Sequence, residues 1–425
     1  MRTVRTWLHD TAGGLPATYW YLWCGLLINR AGAFAMLFLS LYLTDVRGAG
    51  NALAGLVVGA YGIGGAAGVL LGGVLADSWG RRATLLWSHA AAATLMVAMA
   101  FAGNLATIAV LAALIGIVHS MPGPAFVAAI VDIVPADKRS RAFNLQFWAF
   151  NLGMAAASFL AGLLAEASYL ALFLVDAAAT LATALIIAAR VPETLVRGPR
   201  TPRVPGIAAP PGLRTALTDR TFVLFVGLTF VLAVLTAQTS TIMPLAMRAD
   251  GLSSSAYGMV VASAGALIVV GQLFVPRLID GHRKHVVLAV SAGLLAVGYG
   301  ALAVADRTPA YLAAAVVWTV GSMLAAPPNA EINAELAPAA LRGRYQAVFF
   351  LTFPLAAFIA PALGGVSLQY LGDWHWIATA AVGFLAVGGH LLAGPRRERR
   401  VAAIRAATGT LDRGTKTGQK IPETA

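Results

Sequence analysis

The chain has 425 residues, 59% of them hydrophobic and only 11% charged, with a mean hydropathy of +0.77. Soluble domains carry about 25% charged residues, so a chain this poor in them cannot cover itself in water and must face lipid over most of its surface. The net charge of +12 admits nucleic acid as a partner, but the placement of the charges accounts for it otherwise, and a single cysteine, Cys24, excludes an intrachain disulfide and any multi-cysteine metal site.

Apolar runs of membrane length, about 20 residues each, are expected at 19–44, 53–76, 83–102, 107–131, 142–165 and 169–189, and again at 222–243, 257–278, 286–304, 311–334, 345–371 and 374–393. Arg2 and Arg5 precede the first run, but that run is longer than a signal-peptide core and lacks an A-x-A site, so it reads as a retained helix. Inside it Arg30 follows Asn29 and lies one turn before Phe34. A guanidinium cannot shed its charge. At bilayer depth it needs a wet cavity or an acidic partner, and a structural ion pair and a contact to a substrate anion are equally open.

The second and third runs are joined through Gly73-Val-Leu-Ala-Asp77-Ser-Trp-Gly80-Arg81-Arg82. Gly73 is expected to admit a neighbouring helix. Asp77 ends a helix, where the dipole disfavours a carboxylate, and so needs a cation. Gly80 permits the reversal, and Arg81 and Arg82 hold it on the cytoplasmic side. The order G-x-L-A-D-x-x-G-R-R, set between two membrane-length segments, resembles the signature loop of the major facilitator superfamily of secondary transporters.

On the fourth run His119-Ser-Met-Pro122-Gly123 partly matches the R-x-x-Q-G motif of drug exporters in that family, with His119 in the place of the arginine. Histidine titrates near neutrality unaided, and a neutral ring satisfied by a helix carbonyl is the plainer alternative. The run ends at Asp132. On the fifth, Asn144, Trp148 and Asn151 share a face, and Gly153 to Gly162 is a degraded copy of the antiporter motif G-x-x-x-G-P-x-x-G-G; Pro361-Ala-Leu-Gly364-Gly365 keeps a better copy of its end. Asp176 lies about seven residues into the sixth run, where a structural role competes with proton coupling.

The segment 190–221 contains Pro192, Pro199, Pro202, Pro205, Pro210 and Pro211, and suits an exposed linker. Beyond it Gln238 and Thr241 on the seventh run, Tyr257 and Gln272 on the eighth, and Trp318, Ser322 and Asn329 on the tenth could wall a cavity or hydrogen-bond between helices. His282-Arg-Lys-His285 has metal-like spacing without a third ligand and reads as a basic loop. The tail after Pro395 is polar and basic, with the composition of a disordered segment. Neither a Walker A pattern nor G-x-S-x-G is present, so ATP coupling, hydrolysis and a cofactor are not expected.

Two patterns organise the whole. Asp132-x-x-Pro135-Ala136-x-x-Arg139-x-Arg141 recurs as Glu335-x-x-Pro338-Ala339-x-x-Arg342-x-Arg344, and the same offset of 203 carries Leu75 to Leu278, Asp77 to Asp280, Arg81 to Lys284, Pro124 to Pro327 and Gly162 to Gly365. These are two halves in parallel repeat. Of the thirty basic residues, twenty-six lie at the termini, in the linker and in alternate loops; Arg47, Arg248 and Arg307 lie in the other loops and Arg30 inside a helix. That asymmetry puts both termini in the cytoplasm and requires an even number of spans.

The reading is an all-α membrane protein of twelve transmembrane helices in two six-helix pseudo-repeats: a cytoplasmic N-terminus (1–18), one bundle (19–189), a cytoplasmic linker (190–221), a second bundle (222–393) and a basic cytoplasmic tail (394–425). It resembles the drug/proton antiporter-like branch of twelve-helix bacterial members. The resemblance implies a monomeric inner-membrane transporter, not an enzyme, working by alternating access on a small-molecule substrate with protons as coupling ion. Efflux of apolar or drug-like molecules is the leading expectation, and import or facilitated passage of a polar or anionic metabolite the alternative. The resemblance further implies that Asp77, Arg81 and Asp132 form a cytoplasmic gate tying the halves together, against the simpler reading of charges that mark topology.

Overall fold

The computed structural model describes residues 13–135, 138–195, 214–272, 274–338 and 341–417. Twelve helices are long and apolar enough to span a membrane: α1 (Ala17–Asp45), α2 (Asn51–Ser78), α3 (Arg81–Ala100), α4 (Leu105–Ile133), α5 (Arg141–Ala167), α6 (Tyr169–Arg190), α7 (Arg220–Ser240), α8 (Ser254–Gly271), α9 (Lys284–Val304), α10 (Thr308–Leu336), α11 (Arg344–Leu371) and α12 (Trp374–Ala402). Among the described residues there is no strand. Helices are the only open-ended elements whose backbone groups are all satisfied within lipid.

Every expected run is present, but four boundaries differ. The first span is broken: helix Ala17–Ala31 stops, and Ala35–Asp45 starts afresh beyond Gly32. The seventh passes through a 3-10 turn at Gln238–Ser240 and resumes as the short helix Met243–Ala249. The eighth ends at Gly271, and the short helix Val275–Ile279 replaces its expected last turns. The twelfth does not stop near 393. Its helix runs through Pro395 to Thr417, which corrects the expectation of a disordered tail as far as that residue. Proline inside a helix costs one hydrogen bond, and docking of the next turns offsets it: Arg400 makes a two-armed ion pair with Asp219, and Glu398 meets His285 Nδ1 at 2.6 Å. Residues 196–213 of the expected linker lie outside the described residues, whereas Arg214–Thr218 form a short helix.

The two halves meet along α2 with α11 and along α5 with α8. Glycines make both contacts. A side chain on Gly55 would overlap the Pro361 carbonyl and crowd Gly365; one on Gly258 would overlap the Ser158 carbonyl and crowd Gly162. These residues are repeat partners at the offset of 203, so one backbone-to-backbone contact has been built twice. Two turns further along, Gly62 lies on Ala357 and Phe358, and its partner Gly265 on Ala155. The polar contacts between halves cluster at the same end: Asp45 with Arg248 (3.3 Å), Gln369 Oε1 accepting from the Ala52 amide (2.9 Å) and Glu166 accepting from the Ser255 amide (3.1 Å). Asp45 and Arg248 are themselves repeat partners.

At the basic end, among the described residues, α4 and α5 form no packed interface with α10 or the start of α11. The halves are therefore sealed at the end poor in basic residues and parted at the other. Gly73 takes no part, since a side chain there would meet nothing within 4 Å. The close approach expected of it belongs to Gly64, Gly68 and Gly72, one turn apart on α2, which lie against Ala113, Ile117 and Met121 of α4.

Candidate functional site

A cavity of about 200 Å³ lies between the halves, beside the break in α1 and the 3-10 turn of α7. The break is fixed in place by a side chain. Asp176 on α6, fully buried, accepts from the Ala35 amide (3.1 Å), so it caps the second segment of α1 where that segment's own donors would be unmet. Thr180 donates to the other Asp176 oxygen (3.4 Å) and accepts from Asn29 Nδ2 (3.1 Å).

Arg30 enters the cavity from the last turn before the break. Its backbone fits against α5 because Gly153 has no side chain, and its guanidinium carbon stands 4.7 Å from the centroid of the Phe150 ring. Among the described residues it has no ion pair, and its Nε is buried without a hydrogen-bond partner. His119 faces it from α4, where Pro122 and Pro124 interrupt the helix. Its Nε2 is also buried and unpartnered, and its ring stands edge-on to Tyr61 at 6.2 Å. Met36, Leu37, Val58 and Met154 supply the apolar wall, and Ser240 and Thr241 the polar contribution of the second half.

The cavity thus unites Asn29, Arg30, His119 and Asp176 from the sequence reading. Of the other residues expected to wall it, Thr241 alone also lines it. Phe34 is packed in the core beside the break. Asn144 is exposed at the parted end and Trp148 half-buried, while Asn151 donates to Phe147 of its own helix. Gln238 and Tyr257 are buried outside the cavity lining, the latter edge-on to Phe38 at 5.1 Å. Gln272 and Ser322 lie elsewhere, half-buried. Trp318 is stacked on Tyr299 at 5.1 Å and Asn329 accepts from Thr229 at 3.1 Å, both inside the second bundle. Tyr61, Met36 and Met154 were not expected. Tyr61 is set among glycines on α2, and its bulky polar ring was the available signal.

The signature loop forms a network inside the first half. Arg81 meets Asp132 at 3.1 Å and Asp77 at 3.5 Å, and also donates to the Ala76 carbonyl. Arg82 donates to the Ala188 carbonyl at 2.7 Å. Gly80, at φ +118°, makes a turn that other residues rarely adopt. Its bare α-carbon also admits Glu193, whose carboxylate accepts from the amides of Arg81 (2.8 Å) and Arg82 (3.2 Å) at the start of α3. Thr194 then donates to Asp132 (3.0 Å). The second half has its counterpart, with Lys284 at 2.7 Å from both Glu331 and Glu335. Among the described residues both networks as traced stay within their own half.

The family model described as Major Facilitator Superfamily matches residues 22–280 and 228–419. The chain belongs to that superfamily. It is similar to two proteins of Bacillus subtilis (strain 168): the Uncharacterized MFS-type transporter YttB, 27% identical over 371 residues (84% of this chain, 90% of that one), and the Uncharacterized MFS-type transporter YhjO, 27% identical over 370 residues (85% and 89%). Its fold is matched by a POT family transporter in complex with 5-aminolevulinic acid (TM-score 0.76, 13% identity, 90% of this chain and 97% of that one). A D-xylose-proton symporter matches it as well (TM-score 0.70, 16% identity, 88% and 96%). The protein is a multi-pass membrane transporter of the major facilitator type and not an enzyme.

Proposed function

We propose that this transporter works by alternating access in the cytoplasmic membrane, with the basic end inside, and exports small, largely apolar molecules in exchange for protons. The observation that carries the reading is a cavity at the meeting of the halves that joins an apolar wall to one fixed cation and one histidine, below a seal at one end only. A proton-driven exporter needs a group in the cavity that can change charge, and His119 is that group, with Asp176 second. Asp77, Arg81 and Asp132 would complete the gate across the halves in the opposite state. The cavity is smaller than the roughly 300–1,000 Å³ of sites for drug-sized ligands, so the solute is small or the site widens as the halves move.

Arg30 supports a second reading, passage of an anionic metabolite, because among the described residues it makes no ion pair, its Nε is unpartnered, and it lies where a substrate would. Flux into proteoliposomes, measured across neutral and anionic solutes with and without an imposed pH gradient, separates the two. Export predicts uphill movement of apolar solutes driven by the gradient, with Arg30→Gln lowering it only partly. Loss of anion flux alone in that variant, with no apolar solute moved, would replace the first reading by the second.

A further inference from the structure

A second cavity, of about 350 Å³, lies away from the transport cavity, between α7 and α12 at the basic end. Its mouth is cationic, with Arg220 and Arg396 exposed beside Arg397. Deeper in the span its sides are Leu224 and Leu392, 52% and 81% exposed in segments that face lipid. Arg397 is the decisive residue. It is only 2% exposed, and both terminal guanidinium nitrogens are buried with no hydrogen-bond partner, although its carbon is held 5.4 Å from the Phe225 ring centroid.

The nearby acids are committed elsewhere. Asp219 is taken by Arg400 from two sides and by the Tyr345 hydroxyl, and Glu398 by His285. Glu335, the other acid whose charge reaches Arg397, is held by Lys284. Among the described residues three arginines thus converge without a counter-charge in contact, one of them buried with a two-pronged donor that has no hydrogen-bond partner. A buried charge left so is costly, and the group whose geometry answers a guanidinium fork is an oxyanion such as phosphate. The cavity lies where the apolar span gives way to the basic segment, which is the depth of lipid phosphates, and its exposed leucines continue it toward the acyl chains.

We propose that this cavity binds an anionic glycerophospholipid, its phosphate in the fork of Arg397 with Arg220 and Arg396 over the headgroup, and its chains along Leu224 and Leu392. The net-negative headgroup is preferred to a zwitterionic one because the mouth, among the described residues, is lined by cations and by no carboxylate.

The purified full-length protein, delipidated in detergent and titrated with phosphatidylglycerol or phosphatidylethanolamine, is read by native mass spectrometry and by thermal stability. Phosphatidylglycerol is expected to be retained at one copy per chain and to raise the melting temperature more than phosphatidylethanolamine. Arg220→Gln should weaken it about fivefold, the worth of about 1 kcal/mol for a basic residue at a lipid surface, and Arg397→Gln, which removes the buried fork, about tenfold. Arg220 is exposed, so its variant stays informative should Arg397→Gln fail to give a monodisperse protein. Retention unchanged in both variants overturns the site. Equal loss in Arg277→Gln, an exposed arginine at the same end but outside the cavity, overturns it in favour of diffuse attraction. Equal stabilisation by inorganic phosphate alone, lost in the same variants, overturns the lipid and makes the ligand a soluble phosphate.

Discussion

His119 and Asp176 are the two titratable side chains in the transport cavity besides Tyr61, and their surroundings assign them different work. Asp176 is fully engaged by the Ala35 amide and Thr180, which is what a cap requires. Among the described residues the Nε2 of His119 has no hydrogen-bond partner, and it lies beside Arg30, whose Nε has none either, which is why it is proposed as the proton-coupling group. His119→Gln keeps a donor and an acceptor but cannot titrate. It should retain substrate binding within a few-fold while flattening the dependence of flux on pH, measured in proteoliposomes from about pH 5 to 8, the range in which an ordinary histidine changes charge. A wild-type profile in that variant would make His119 a packing residue and turn attention to Asp176. Arg30, His119 and Asp176 were legible in the sequence because charge or titration is conspicuous inside a membrane, and Asn29 because it precedes Arg30. For Trp318 and Asn329 the sequence left a cavity wall and contacts between helices equally open, for the converse reason. A polar face predicts that a helix has a partner there, and it does not say whether the partner is a cavity, Tyr299 or Thr229.

At the scale of the elements, the spans and the repeat were legible because hydropathy and the offset of 203 act over whole segments. The break in α1 was not, since it has no proline, whereas that in α7 had a signal in Pro244, which cannot bond back to the Ser240 carbonyl. The break in α1 is set by Asp176 some 140 residues away, through a cap supplied by another helix. The same holds for α3. Its start has no cap of its own, and Glu193, expected only as part of a linker, supplies one. Burial pushes the Glu193 carboxyl up, but the amide donors of Leu195, Arg81, Ala83 and Thr194 outweigh it and hold it below its usual range. A depressed carboxyl contributes stability that is fully present above its unfolded value, about 4.3, and is lost as pH falls through the folded one. The loop should therefore hold at neutral pH and loosen only below about pH 4. Glu193→Gln should reproduce the loss at neutral pH, at about 1 kcal/mol for a helix cap. Hydrogen exchange at the amides of Arg81, Arg82 and Ala83 reads it directly, and protection equal to wild type would show that the contact contributes nothing to the start of α3.

For the whole molecule, the doubled glycine contact makes a symmetric prediction. Gly55 on Pro361 and Gly365, and Gly258 on Ser158 and Gly162, are one contact repeated about the pseudo-twofold relation of the halves, and both close the end away from the basic loops. Neither contact lies inside a bundle, so a larger side chain at either glycine should leave each half folded and act on how the halves meet. Overpacking typically costs about 1–3 kcal/mol. Against a two-state equilibrium that is about a 5- to 150-fold change in ratio, enough to move the population away from the state described above. Gly55→Val and Gly258→Val should therefore open the sealed end and draw the basic ends together. Spin labels at Gly103 and Arg307 report the first distance, which should lengthen; labels at Ser78 and His282 report the second, which should shorten. Gly73→Val is the control, because a side chain there meets nothing within 4 Å, and it should leave both distances as they are. The two seal variants must agree in direction, since the repeat makes them equivalent. If one opens the seal and the other does not, the halves do not rock about a shared pseudo-twofold axis. If neither does, the glycine contacts are passive packing and the Asp45–Arg248 pair with its neighbouring hydrogen bonds is what holds that end shut.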